Sequence, residues 1–264
     1  MKQVSDIAPA DAQALFEYLL RLGDNDLILG HRLSEWCGHA PVLEEELALS
    51  NIALDLIGQA QLWLELAGEI EARFQDSGRN ADQLAYRRDV AEFRNLLLVE
   101  QPNGNFADTM ARQFYFDLWH YLLLEQLSTS HESRIAAIAG KSVKEVRYHL
   151  ERSSDWVIRL GDGTELSHQR MQQALDEFWI FTGELFMADA VDETVLTAGF
   201  GVDVAGLRQP WREQLAAVLA EAGLVMPQAD WSRRGGKQGI HSEHLGYLLA
   251  EMQFLQRAYP DASW

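Results

Sequence analysis

Apolar residues recur along this chain at helical intervals. Leu49, Ile52, Leu56, Trp63 and Leu66 form one stripe; Met110, Phe114, Tyr121 and Leu124 form another, with Asp117 on the same face. Alternating β-branched runs are almost absent, and Ala, Leu, Glu, Gln and Arg fill long stretches between the prolines at 9, 41, 102, 210, 227 and 260. The pattern predicts helices over 10–36, 42–75, 82–100, 105–130, 133–160, 166–188, 205–223 and 242–258, with 189–204 a loop carrying short helical turns. The breaks have their own chemistry: Pro41 suits the first turn of a helix, Asn105 suits an N-cap after Pro102-Asn103-Gly104, and Gly161-Asp162-Gly163 suits a helix end. The expectation is an all-α chain in one domain over 1–264, with a core bundle over about 10–160 and additional helices over about 166–260.

Composition narrows the function. A hydrophobic fraction of 47% with eight Trp excludes a disordered acidic chain. Lys and Arg number 22 against 40 Asp and Glu, a net charge of −18, which argues against nucleic acid and against anionic membranes as partners. No apolar run reaches the roughly 18 residues of a membrane span, and MKQVSDIAPADAQ lacks a signal core, so a cytoplasmic location is expected. The single cysteine, Cys37, excludes an internal disulfide and a CxxC metal knuckle. Beside Trp36, it reads as a packed thiol.

The polar residues inside the apolar stretches say more. Asp117 sits in FYFDLWHYLLLEQL, where a carboxylate requires a partner. Asp26, Asp55, Gln59, Glu145 and His149 are placed similarly. Asp26 precedes Gln59 by 33 residues and Asp117 precedes His149 by 32, which suggests two related helix hairpins. That is the plan of a ferritin-like carboxylate bundle with long antiparallel helices, in which two helices each give a Glu and two give Glu-x-x-His. Neither 42–75 nor 133–160 contains Glu-x-x-His. Two readings stay open: a polar network in place of metals, with Arg112, Lys144 and Arg147 as cationic partners, or an active di-metal oxidase or iron-binding bundle drawing on Asp26, Asp55, Asp117 and Glu145 in a register shifted by one, with His120 and His149 contributing.

Four long blocks carry a resemblance. They are LRLGDNDLILGHRLSEWCGHAPVLEEELALSNIALDLIGQAQ (21–61), FRNLLLVEQPNGNFADTMARQF (93–114), KEVRYHLERSSDWVIRLGDGT (144–164) and GGKQGIHSEHLGYLLAEMQFLQRAYP (235–260). Through them nearly the whole chain resembles the structural C-type subunits of bacterial phenylacetyl-CoA epoxidases. The resemblance implies a non-catalytic, ferritin-like subunit that binds no cofactor itself. It implies as partners a homologous catalytic subunit holding a di-iron centre and a reductase, in a hetero-oligomer that converts phenylacetyl-CoA to its ring 1,2-epoxide. A homodimer of the isolated chain also remains open. With the register set by Ala40-Pro41-Val42-Leu43, the catalytic subunits' ligand pattern falls on Asp26, Leu56, Gln59, Asp117, Val146 and His149. Leu56, Gln59 and Val146 cannot serve as anionic or imidazole ligands, so the pattern implies a degenerate di-iron site.

Three further features need placing. His241-Ser242-Glu243-His244 has the form of a ligand cluster but also of a capped helix start. Arg233, Arg234 and Lys237 flank two glycines in a loop suited either to coenzyme A phosphates or to docking. Glu44, Glu45 and Glu46 suit the positive end of a helix dipole; residues 1–75, with 13 acids against 4 bases, suit an electropositive partner along the first two helices.

Overall fold

The computed structural model describes residues 9–260 and 262. They form ten α-helices: α1 (Pro9–Ser34), α2 (Leu43–Glu71), α3 (Ala81–Tyr86), α4 (Phe106–Leu127), α5 (Ser133–Gly161), α6 (Glu165–Thr182), α7 (Ala190–Thr197), α8 (Arg208–Glu221), α9 (Glu243–Met252) and α10 (Phe254–Ala258). Among the described residues there is no strand, and no helix is long and apolar enough to cross a membrane. The all-α expectation therefore holds. The chain divides into two compact units, Pro102–Arg234 and the residues up to Gln101 together with those from Gly235 onward.

In the second of these units α1 and α2 pair closely. A β-carbon on Gly23 would lie 2.8 Å from Leu64, and one on Gly30 would lie 3.0 Å from Ile57, so glycine brings the two backbones together. Residue numbers rise along one helix as they fall along the other, which makes the pair antiparallel. Leu15, Leu19, Ile28, Leu49, Leu56 and Trp63 are buried.

The helix expected over 82–100 ends at Tyr86. Beyond a 3-10 turn at Val90–Glu92, the chain reaches Gln101 without regular structure, although Phe93, Leu96, Leu97, Leu98 and Val99 are buried. Side chains capture the backbone instead. Asp24 takes the Arg88 guanidinium, with one contact at 3.0 Å, and accepts the Arg94 amide at 2.8 Å. Asn25 Oδ1 accepts the Leu96 amide at 2.8 Å, and Arg32 donates twice to the Glu100 carbonyl, at 3.1 and 2.9 Å. Arg88 also lies over the Phe93 ring at 4.3 Å.

The C-terminal block locks onto the same segment. Gln253 Nε2 donates to the Ala85 and Arg88 carbonyls at 3.0 Å each, and Arg257 donates to the Arg88 carbonyl at 2.8 Å. Glu100, fully buried, accepts the Ser242 amide at 2.6 Å and faces His241 Nδ1 at 2.8 Å. His241 Nε2 faces the Phe93 carbonyl at 3.0 Å. Both ring nitrogens meet acceptors, so both must donate, and the ring is an imidazolium. Its pKa is raised: burial opposes the charge, but the hydrogen bond and field of Glu100 and the Phe93 carbonyl outweigh burial.

The other unit is built on α4 and α5, again antiparallel: Asp117 meets Ser153 while Tyr121 meets Arg147. α6 and α8 pack on this pair. Asn105 caps α4 as expected, its side chain accepting the Ala107 and Asp108 amides, and Thr164 caps α6. The stretch 189–204 contains an eight-residue helix, α7, capped by Asp189. Cys37 corrects an expectation: it is exposed, in the turn after α1 rather than packed.

The buried ion pairs can be tested by stability. Asp24→Leu leaves Arg88 charged and buried without its partner and should cost about 3–5 kcal/mol of stability, read as a lower denaturant midpoint. The His241 contribution has a definite pH window. A folded-state pKa above the ordinary value of about 6.5 stabilises fully below that value, and the gain fades as pH rises through the raised value. The stability gap between wild type and His241→Gln should therefore be larger at pH 6 than at pH 9; equal gaps would contradict the imidazolium.

Candidate functional site

Asp117 is the centre of the polar cluster on α4 and α5. Its helix is apolar on several faces, with Phe114, Phe116, Leu118 and Trp119 all buried, so position 117 has no route to solvent. Gln113, one turn earlier, donates to Asp117 Oδ1 at 2.6 Å, and Ser153 of α5 donates to Oδ2 at 2.8 Å. Burial dominates and raises the carboxyl pKa from 3.8 to about 6, against the field of His149 and the two hydrogen bonds. His120 follows Asp117 by one turn and packs on Phe116 at 5.0 Å between ring centres. Burial, reinforced by His149, lowers its pKa to about 3, so it is neutral.

The same unit answers the question of register on α5. Val146 and His149 are fully buried, Glu145 is half-buried and Tyr148 is exposed. The cationic partners expected for Asp117 are elsewhere. Lys144 and Arg147 are exposed, Arg147 reaching the Tyr121 hydroxyl at 3.3 Å, and the buried Arg112 donates to Asn103 at 2.7 Å. Neutral donors hold the carboxylate because the long cationic side chains on α5 point along its wet face.

On α1 and α2 the register agrees. Asp26, Leu56 and Gln59 are buried, whereas Asp55 is half-buried. Each helix pair thus turns inward the positions on which the ligand pattern falls, and two of the six are the aliphatic Leu56 and Val146. Sequence reasoning missed Asp24, Asn25, Arg88 and Glu100. The available signal was Asp24-Asn25-Asp26 itself, three polar residues in succession inside an apolar helix, all buried here.

The remaining candidates separate. Arg233 and Arg234 are exposed, with the Arg233 amide donating to the Ile180 carbonyl at 2.7 Å, but Lys237 is buried in a 3-10 turn. A β-carbon on Gly236 would meet the Asn95 carbonyl at 2.1 Å, so that glycine serves close packing. His241 belongs to the Glu100 lock, while the carbonyl of His244 accepts from Arg32 at 3.1 Å. Ser242 is the N-cap of α9 without a side-chain capping bond. Among the described residues no group of three or more His, Cys, Asp or Glu stands close enough to share a metal ion.

Comparison with known proteins places this arrangement. The family of phenylacetic acid catabolic proteins matches the chain over residues 1–264. A curated relative, the C-type subunit of 1,2-phenylacetyl-CoA epoxidase from Escherichia coli (strain K12), is 52% identical over 250 residues, which cover 95% of this chain and 99% of that protein.

The state of Asp117 has a measurable consequence. A carboxyl whose pKa rises on folding costs stability progressively as pH climbs from 3.8 toward 6, and fully above that. Asp117→Asn should therefore be at least as stable as wild type at pH 8, with its advantage shrinking as pH falls through about 6, which thermal melts across that range will read.

Proposed function

Because the chain belongs to the phenylacetic acid catabolic protein family, whose helical fold is ferritin-like, we propose that it is the structural, non-catalytic C-type subunit of a phenylacetyl-CoA epoxidase. In this reading it holds no di-iron centre and supports a homologous catalytic subunit that does, with a reductase supplying electrons to the complex.

The observation that carries the reading is the inward placement of Leu56 and Val146, both with no exposed surface. An alkyl side chain gives a metal no electron pair. Asp117 adds support, since both of its oxygens are engaged by Gln113 and Ser153. The donor set therefore does not suit two irons.

The outer face of α2 supports a partner. Leu43, Leu47 and Leu54 are 67%, 57% and 67% exposed. At 100° per residue they share one face with Gly58. A glycine inside a helix costs about 1 kcal/mol relative to alanine, and a β-carbon on Gly58 would meet nothing within 4 Å. Among the described residues nothing uses that small size; a partner helix passing close over α2 would.

The test is direct. The chain purified without chelator should carry far less than one iron per molecule, and a catalytic paralogue should be more soluble and turn over faster when co-expressed with it. Near-stoichiometric iron that vanishes in Asp117→Ala and His149→Ala would overturn the reading in favour of an active di-metal bundle. In the complex, Leu47→Asp with Leu54→Asp should abolish co-purification while leaving the isolated chain folded.

A further inference from the structure

The unit Pro102–Arg234 contains a recess of about 300 Å³ that the proposed role does not use. Its lining includes Trp179 at the end of α6, Phe186 in the 3-10 turn Gly183–Phe186, Trp211 of α8, and a strap from Ala229 to Ser232 that carries Trp231. The volume lies at the small end of ligand pockets.

The aromatic floor is rigid. Trp211 Nε1 donates to the Tyr115 carbonyl at 3.1 Å, and the indole is 1% exposed. Trp179 lies 5.8 Å from it at an angle of 32°, and Phe186 stands edge-on at 5.3 Å. The strap is anchored to α6 by the hydrogen bond from the Arg233 amide to Ile180, and Ser232 packs against the α-carbon of Gly183. At the mouth, Trp231 remains 59% exposed. So large an exposed indole, beside an indole-lined recess, leaves an aromatic face available for stacking.

Charge at this recess runs against the rest of the molecule. The whole chain carries −18, yet residues 205–234 contain four arginines against three acids. Arg208 and Arg212 of α8 both line the recess, and Asp230 is the one carboxylate among the lining residues. Both arginines are exposed and, among the described residues, neither forms an ion pair. Arg208 lies over the Phe186 ring at 5.2 Å, which positions its guanidinium without consuming its carboxylate-matching edge. Arg233 stacks over Trp231 and Phe181 at 5.8 Å each. Indole faces recognise a flat ring, and an arginine fork recognises a carboxylate or phosphate through paired hydrogen bonds.

We propose that this recess is a binding site for a small aromatic anion, a planar ring carrying a carboxylate or phosphate group, with the ring against Trp179 and Trp231, which the buried Trp211 backs, and the anion on Arg208 and Arg212. The proposal is independent of the assignment as a structural subunit, because it rests only on the recess. Two sources share this chemistry: a free aryl carboxylate, or the purine nucleotide end of a coenzyme A ester.

Titration calorimetry on the full chain separates them, with phenylacetate as one probe and adenosine 3′,5′-bisphosphate as the other. One of the two should bind with one-to-one stoichiometry and a Kd of about 0.1–1 mM. Arg208→Gln with Arg212→Gln should weaken that binding at least about tenfold, and Trp231→Ala should weaken it severalfold. All three positions are exposed, so the variants should fold, which circular dichroism checks. Neutral phenylacetamide should bind at least about tenfold more weakly than phenylacetate if the carboxylate probe is the one that binds. No binding of either probe up to about 10 mM, or equal binding by wild type and the double arginine variant, would overturn the proposal.

Discussion

Residues 87–101 impose the constraint on which the unit holding α1 and α2 depends. From Phe93 to Val99 the segment is buried except at the half-buried Arg94, and apolar except at Arg94 and Asn95, yet outside one 3-10 turn it makes no regular structure. Buried backbone amides and carbonyls must be paired, and here no helical or strand ladder does it. Side chains from distant parts of the sequence supply much of the pairing: Asp24, Asn25 and Arg32 from α1, and His241, Gln253 and Arg257 from the C-terminal block. A segment that would otherwise be an irregular loop thus becomes the part that ties the first helix to the last two. The ties from Asp24, Arg32, His241 and Arg257 are charged, which makes them strong when complete and costly when one member is lost.

A carboxylate without water is solved differently at three places. Asp24 is neutralised by the Arg88 fork, and Glu100 by an imidazolium together with the Ser242 amide and Asn95 at 3.0 Å. Asp117 receives only the neutral donors Gln113 and Ser153, and burial raises its pKa to about 6. Ion pairing therefore fixes geometry around the irregular segment, while the α4–α5 interior holds its acid with neutral hydrogen bonds.

Much of the fold was legible because long amphipathic stripes and N-caps are local properties. Asn105 caps where the sequence places it, and α1, α2, α4, α5 and α8 run close to their expected limits. The segment 82–100 was misread because its composition is helical and its competitors are remote: nothing local in RRDVAEFRNLLLVEQ shows that Asp24 and Asn25, about seventy residues earlier, will take its amides. Cys37 and Lys237 were misread for related reasons. The thiol lies three residues beyond the end of α1, a boundary no residue marks sharply, and the lysine sits in a turn whose burial is set by the packing of Gly236 on Asn95. At the α2 and α5 positions, by contrast, residue type alone shows that Leu56 and Val146 offer a metal no electron pair. The structure adds that those positions face inward.

In the proposed assembly, the two properties of α2 have separate tasks. Exposed leucines at 43, 47 and 54 give a non-directional attraction that cannot choose an orientation. The acids around them can. Glu44, Glu65 and Glu69 are exposed on the same helix, so the apolar ridge carries a negative border. A partner with basic residues beside a complementary apolar groove would be steered and oriented by that border, and then held by the leucines. The side-chain ties that fix α1, the irregular segment and the C-terminal block come from this chain alone. Because those ties already order the unit that carries α2, less ordering entropy would be lost when the ridge is covered.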